Sequence, residues 1–595
     1  MRLTKLFVLL ALVGGGAAEA ATLNASSCNL SAVSLVVTSA VDGDTVVIPA
    51  GTCSWSGPLS ISNKSITLKG QGIGATVIVS THATDPLLLS WATKPNGVSK
   101  VSDLTFDSGT PVAGGYLSMV VIGGDTANFV MQNVRLIERR QRAITFFGYV
   151  RGVMSRVVID TYAFAVPIHF SHQAWGNVGD NGDNSWAQDS TMGTAQALYV
   201  EDSTITCYIG SYCPATDGDA GPRYVFRFNK LTNAQSFHHG LDTPGRPRGA
   251  RQWEYYNNVI VNNAMQGVNP IGARSGTGMV FDNQLTVGGN GSSSAVFDFQ
   301  TQRANQDPVV SGFFFPWNDC RVRQIVQITC SGGIATVTTP PVASGQTSHG
   351  VSEGGWVEIA GSSIAAYNGK KAVTSPTTYS GRSTNTFTFA SSCGGTASNS
   401  GMTLASPFDG NTNASGYPCM DQIGRGKGAL ISGFDALGRF NLGTLSTTKA
   451  NQQSEPLYIW NNTRNGALSA GEAVYTDPGA VAPNRDYYNQ DNTNCAPGGG
   501  SCAAGVGRGT LAQRPASCSP GVGYWATDQG EWNSTNGATP DGRLYKCVSA
   551  NNWAPYYMPY AYPHPLVSGA AAPATPETSG SAPQPPQNLR ILTGN

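Results

Sequence analysis

Residues able to move protons and hold negative charge crowd into one stretch of this 595-residue chain. Between residues 201 and 274 stand Glu201, Asp217, Asp219, Arg223, Arg227, His238, His239, Asp242, Arg246, Arg248, Arg251, Glu254 and Arg274. Elsewhere charge is thin, since Asp, Glu, Lys and Arg make up only 12% of the sequence, so the crowding marks the place where chemistry would sit. Arginines on neighbouring segments repel unless carboxylates or an anionic ligand lie between them. Glu201, Asp219 or Glu254 would supply those carboxylates in a purely structural ladder. An anionic ligand would make the same arginines a binding row for uronate-type carboxylates, a task suited to the planar guanidinium fork.

Two catalytic chemistries fit such a set. Elimination beside a carboxylate needs a cation to neutralise that carboxylate, a base for the acidic C–H, and a group that stabilises or protonates the leaving oxygen. Arg251 and Arg223 are candidates to neutralise, with Arg227, Arg248, Arg274 and Glu201 as further substrate contacts. The base is sought among His238, His239 and the arginines of the GRPRGAR stretch, and Asp242 and Glu254 complete the candidate catalytic set. Glycoside hydrolysis instead needs two carboxylates at a defined separation. Asp217 with Asp219, or Glu201 with Asp202, are the candidate pairs, although Asp-Gly-Asp also serves as an ordinary turn. Calcium is the candidate cofactor, with Asp217 and Asp219, or Asp180, Asp183 and Asn184, as oxygen ligands. No paired CxxC motif, phosphate loop, dinucleotide fingerprint or nucleophile elbow is present.

The elements that would position these residues are read from a repeat. VMQN ending at Asn133, YVED at Asp202, FRFN at Asn229, EYYN at Asn257, VFDN at Asn283 and YIWN at Asn461 share a short β-rich stretch closed by Asn or Asp. LTFD at Asp107 and VMSR at Arg156 follow the pattern less closely. Most neighbours lie 23 to 28 residues apart, with one doubled interval and one very long one. Such a period predicts stacked coils of a right-handed parallel β-helix, with Asn at each bend for its αL tolerance and its capacity to form ladders. The doubled interval holds a polar, Trp-bearing excursion, AWGNVGDNGDNSWAQDSTMG. The domain reading is an export signal over 1–20, β-helix over 21–319, an inserted β-sandwich or barrel over 320–405, β-helix again over 406–483, a disulfide-stapled aromatic module over 484–566, and a Pro/Ala/Ser-rich tail over 567–595. Clustering of the 12 cysteines suggests the pairs Cys28–Cys53, Cys207–Cys213, Cys330–Cys393, Cys495–Cys502 and Cys518–Cys547, with Cys320–Cys419 around the insertion.

The segment AVDGDTVVIPAGTCSWSGPLSISNKSITLKGQG from Ala40 resembles the opening coils of pectate-lyase-like β-helix proteins, and GRPRGARQWEYYNN from Gly245 looks like the Arg-Pro run before a "YNN" coil in pectate lyases. The resemblance covers about residues 30 to 320. It implies that Arg246 or Arg251 serves as the base and that the partner is an acidic polysaccharide. The family's Trp-Ile-Asp-His segment has no clear match, which leaves a non-catalytic glycan-binding or surface protein as the alternative. The positive start at Arg2 and Lys5, the apolar run and Ala18-Glu19-Ala20 predict export, while balanced charge argues against a nucleic-acid surface and no later stretch reads as a membrane span.

Overall fold

The computed structural model describes residues 20–110, 117–139, 142–163, 166–175, 182–209, 213–236, 238, 240, 248–262, 269–288, 297–299, 323–340, 356–375, 385–405, 421–428, 452–468, 474–476, 481–537 and 539–568. It is a β-solenoid of about 12 turns with only 6% helix. Each coil gives one short strand to each of three walls, and strands pair in parallel with their counterparts one coil away. The first, here the polar wall, runs through Leu59–Ser62, Leu89–Thr93, residues 120–124, Arg142–Phe147, Ile168–Ser171 and Thr216–Asp219. The second, the strapped wall, includes Tyr149–Ser155, Leu198–Glu201, Arg223–Arg227, Gln252–Tyr256, Thr277–Phe281 and Leu457–Trp460. The third, the open wall, includes Val158–Thr161, Thr204–Cys207, Lys230–Thr232, Val259–Asn262 and Gln284–Val287. Alternation sends every second side chain inward, where Leu198, Val200, Phe226, Trp253, Val280 and their like make one continuous core.

The bend between strapped and open walls carries the repeat, with a correction to the sequence alignment. Two adjacent positions are involved, not one. Asn133, Arg156, Asp202, Phe228, Asn257, Asp282 and Asn461 all hold the left-handed backbone, with φ between 53° and 54°. From Phe228 onward the residue after each forms the ladder: Asn229, Asn258, Asn283 and Asn462 pass side-chain hydrogen bonds from coil to coil at 2.8–3.2 Å. Asn229 therefore stacks on Asn258, not on Asn257. The same one-residue shift moves Arg223 beside Gln252, with Arg251 at the corner just before it.

A helix, Leu30–Ser39, that the apolar periodicity did not announce buries Val33 and Val37 against the first coils, and Lys64 Nζ donates to the carbonyls of Val37, Thr38 and Ala40 at its end. Residues 323–340, 356–375 and 385–405 contribute antiparallel strands around a separate core that includes Val337, Val357, Phe387 and Phe389. The five disulfides expected within the described residues are present, while Cys320 and Cys419 lie outside them. The aromatic C-terminal segment does more than cover the final coil. It begins there, with Gln490 bridged to Val506, and then turns back along the strapped wall. Tyr524, Trp525, Tyr557 and Tyr560 share one core with Tyr199, Tyr256, Phe281 and Trp460 of the wall's outer face.

Candidate functional site

The strap and two nearer segments, around residues 183–191 and 421–455, decide the fate of most of the arginine cluster. Arg227 is fully buried between its ion pair with Glu201 at 2.6 Å, the Tyr256 hydroxyl, and the carbonyls of Tyr560 and Ala561. Burial alone would lower the Arg227 pKa, but Tyr256, Glu201 and Tyr199 outweigh it and hold the guanidinium charged. Glu254 accepts from Tyr557 Oη at 2.5 Å and from Gly193 N at 2.9 Å, and burial raises its pKa. Arg248 sits between Asp183 and Asp421, and Arg251 reaches Glu455. Arg223 donates to Ser185, Asp189 and Thr191 while lying over the Trp175 ring. Glu201, Arg223, Arg227, Arg248, Arg251 and Glu254 have relative exposures of 0–1%, so none presents its charged group to a bulky substrate. These contacts are structural: the C-terminal segment, more than 300 residues away, covers Glu201, Arg227 and Glu254, while residues 183–191, 421 and 455 enclose Arg223, Arg248 and Arg251. His238 is likewise a core residue: it points inward between Tyr224 and Trp253 and bonds Tyr224 Oη and Ser275 O. His239, Asp242 and Arg246 lie outside the described residues.

The polar wall offers a different constellation. Because Val120, Ile122, Ile144, Phe146, Ile168 and Phe170 point into the core, the intervening residues face outward. Register then places Thr145, His169 and Asp217 in one outward row, and Phe147, Ser171 and Asp219 in the next. Asp-Gly-Asp here is strand, not turn, so both carboxylates share one face. His169 Nε2 lies 3.1 Å from Asp219 Oδ2, and Phe147 packs edge-on against the imidazole. Burial lowers the His169 pKa, the nearby Arg142 charge lowers it further, and Asp219 and Asp217 oppose both. With Nε2–H donated to Asp219, the Nδ1 lone pair is left as the basic position, and Nδ1 is buried without a partner. Asp219 is therefore committed to orienting a histidine, and among the described residues no group of three His, Cys, Asp or Glu side chains is arranged to hold a metal ion. The calcium set drawn from Asp217 and Asp219 is not supported, and Asp183 of the alternative set is bound to Arg248.

The wall continues past Asp219 through the bridges Pro214–Gln235 and Ser236–Ile271. Ile271 and Ala273 face inward there, so alternation turns Arg274 outward, beside Gly240. Coils are spaced by about 4.8 Å, which sets Arg274 roughly two coils beyond Asp219, with Arg142 on the opposite side of the His–Asp pair. Sequence reading found Asp217, Asp219 and Arg274 but missed His169 and Arg142. The only signal for His169 was its outward position in a strand whose other members are apolar, legible only once the register is known; Arg142, at the start of its strand and in step with Ile144 and Phe146, carried no such signal.

No protein-family model and no curated protein matches the chain. Among solved structures it is similar to an alginate lyase from Paenibacillus sp. at 14% identity, covering 46% of this chain and 98% of that one with a TM-score of 0.24. It is also similar to ORF18 of Geobacillus virus E2 at 14% identity, 61% and 76% coverage and a TM-score of 0.23. The catalytic domain of a GH87 alpha-1,3-glucanase aligns at 10% identity over 47% of this chain and 60% of its own, with a TM-score of 0.25. The fold assignment rests on the strand pairings above.

Proposed function

We propose that this protein is a secreted carbohydrate-active β-solenoid that cleaves an acidic polysaccharide by β-elimination on its polar wall. The observation that carries the proposal is the His169 imidazole, held at Nε2 by Asp219 with Nδ1 unpartnered beside the positive charge of Arg142. In this reaction Arg142 and Arg274 neutralise uronate carboxylates on either side of the cleavage point. His169 Nδ1 and Asp217 are buried, so the reaction requires the outer face of this wall to open to the sugar. Neutralisation then acidifies the adjacent C–H, His169 Nδ1 removes that proton, and Asp217 in its protonated form gives a proton to the leaving oxygen as the C–O bond breaks and a C=C bond forms. The pectate-lyase-like resemblance of the opening coils supports the same substrate class, and the disulfides support an oxidising compartment. The domain limits read from the sequence, including the export signal over 1–20, belong to the same proposal.

A second reading is favoured by one feature. Asp217 and Asp219 lie two residues apart on one strand face, and glycoside hydrolysis needs a pair of carboxyl groups. Incubating the purified chain with uronate-containing and neutral glucans separates the cases. New ultraviolet absorbance from unsaturated ends, lost in His169→Ala, establishes elimination. New reducing ends without absorbance establish hydrolysis, and glycan binding without either product leaves a non-catalytic glycan-binding protein.

A further inference from the structure

The corner where the polar wall turns into the strapped wall contains more hydrogen-bond donors than acceptors. Arg223 and Arg251 stand on neighbouring coils there, both with 0% exposure. Arg223 spends its guanidinium on neutral oxygens of Ser185, Asp189, Thr191 and Gln252. Arg251 bonds Gln188 O and Glu455 Oε2 through Nη2 alone, and its Nε and Nη1 are buried with no acceptor. On the other side of Arg223 the pattern repeats. His172 Nδ1 accepts from Arg223 N, so the ring proton sits on Nε2 toward the Val150 backbone, and Trp175 Nε1 is also buried without a partner.

Nearby carboxylates are committed elsewhere. Asp183 and Asp421 hold Arg248, Glu254 holds Tyr557, and the exposed Asp189 carboxylate pairs with Lys427. Glu455 is shared, since its charge also raises the pKa of Lys546 against burial. A buried donor without an acceptor is costly, and more so when it carries charge. Burial and the facing Arg251 push Arg223 down to about 9, a strain that a negative charge between the two would relieve.

We propose that this corner is a binding site for a small inorganic anion of chloride size, held by Arg251 Nε and Nη1 against the flank of Arg223. Size follows from enclosure: Arg223, Arg251, His172 and Trp175 are all within 1% of full burial, which leaves no path for a carboxylate attached to a glycan chain. The site is separate from the polar-wall chemistry and does not depend on the carbohydrate reading.

Thermal melts of the full chain in sodium chloride, bromide and gluconate at equal ionic strength test it, together with crystals grown in bromide. The expected result is a saturable rise of several degrees in Tm with either halide, absent in gluconate, and an anomalous bromide peak within hydrogen-bonding distance of Arg251 Nε. Glu455→Gln, which removes a competing anion, should lower the half-saturating halide concentration several-fold, while Arg251→Gln should abolish the halide effect. Should Arg251→Gln fail to fold, the bromide peak and Glu455→Gln still decide. A Tm that follows ionic strength alone, or a water in place of bromide at the Arg251 donors, overturns the proposal.

Discussion

At the residue scale the outcome turns on His169. Its lowered pKa means the neutral, basic form persists to more acidic pH than an ordinary histidine would allow. The acid limb of kcat/KM is therefore expected below pH 6.5, the unperturbed value, and Asp219→Asn, which removes an opposing negative charge, should move that limb still lower. His169→Ala should reduce kcat by about 10²–10⁴-fold with an unchanged melting curve, as expected for loss of a general base. An unchanged kcat would remove His169 from the mechanism. Two other histidines set the pH dependence of the fold. Burial holds His172 and His564 down at about 3 against an unfolded value of 6.5. Between those limits the unfolded chain binds more protons, so stability is full above pH 6.5 and drains as pH falls toward 3, by about 1.4 kcal/mol per pH unit for each group at most. Urea melts across that range should show His172→Gln with a shallower decline than wild type. The sequence could not single out His169 because nothing around it in PIHFSHQAW differs from an ordinary strand; its partner Asp219 arrives from two coils' worth of chain later.

At the scale of elements, the bend and the strap carry the testable weight. Asn258 accepts from Asn229 N and Nδ2, and donates to Phe226 O and Asn283 Oδ1. Asn258→Ala should cost about 1–3 kcal/mol in chemical denaturation, because it strands buried partners on both neighbouring coils. Asn257→Gly should be tolerated, since that position needs left-handed backbone and no ladder bond. A destabilised Asn257→Gly beside a neutral Asn258→Ala would reverse the assignment of the two positions. The repeat was legible because Asn or Asp recurs at most bends, though not at Arg156-Val157, yet the register was not: the αL residue and the ladder residue are adjacent, and both favour the same side chains for different reasons. YNN and WNN supply both at once, whereas FRFN supplies only the ladder member. Opening the Arg227–Glu201 pair by Glu201→Gln should cost about 3–5 kcal/mol, because it leaves a guanidinium buried beside a neutral amide.

Across the whole molecule, the arginine cluster shows what composition can and cannot reveal. That charges gather between residues 201 and 274 is plain in the sequence; that Glu201, Arg227 and Glu254 face a protein surface and not a ligand depends on Tyr557, Tyr560 and His564, whose distance along the chain hides the contact. Removing residues from 484 onward should expose Tyr256, Phe281, Tyr458 and Trp460 as one apolar face, and light scattering should report self-association of the shortened chain. Hydrogen bonds from Arg227 to the Tyr560 and Ala561 carbonyls span 333 and 334 residues. During synthesis the middle coils must therefore wait for the last part of the polypeptide to emerge, on the order of tens of seconds at about 5–20 residues per second. Over that interval Arg227 has Glu201 and Tyr256 but not its two carbonyl acceptors, and a ribosome stalled before codon 557 would hold a nascent chain whose sticky flank is available to chaperones or to its neighbours on the same message.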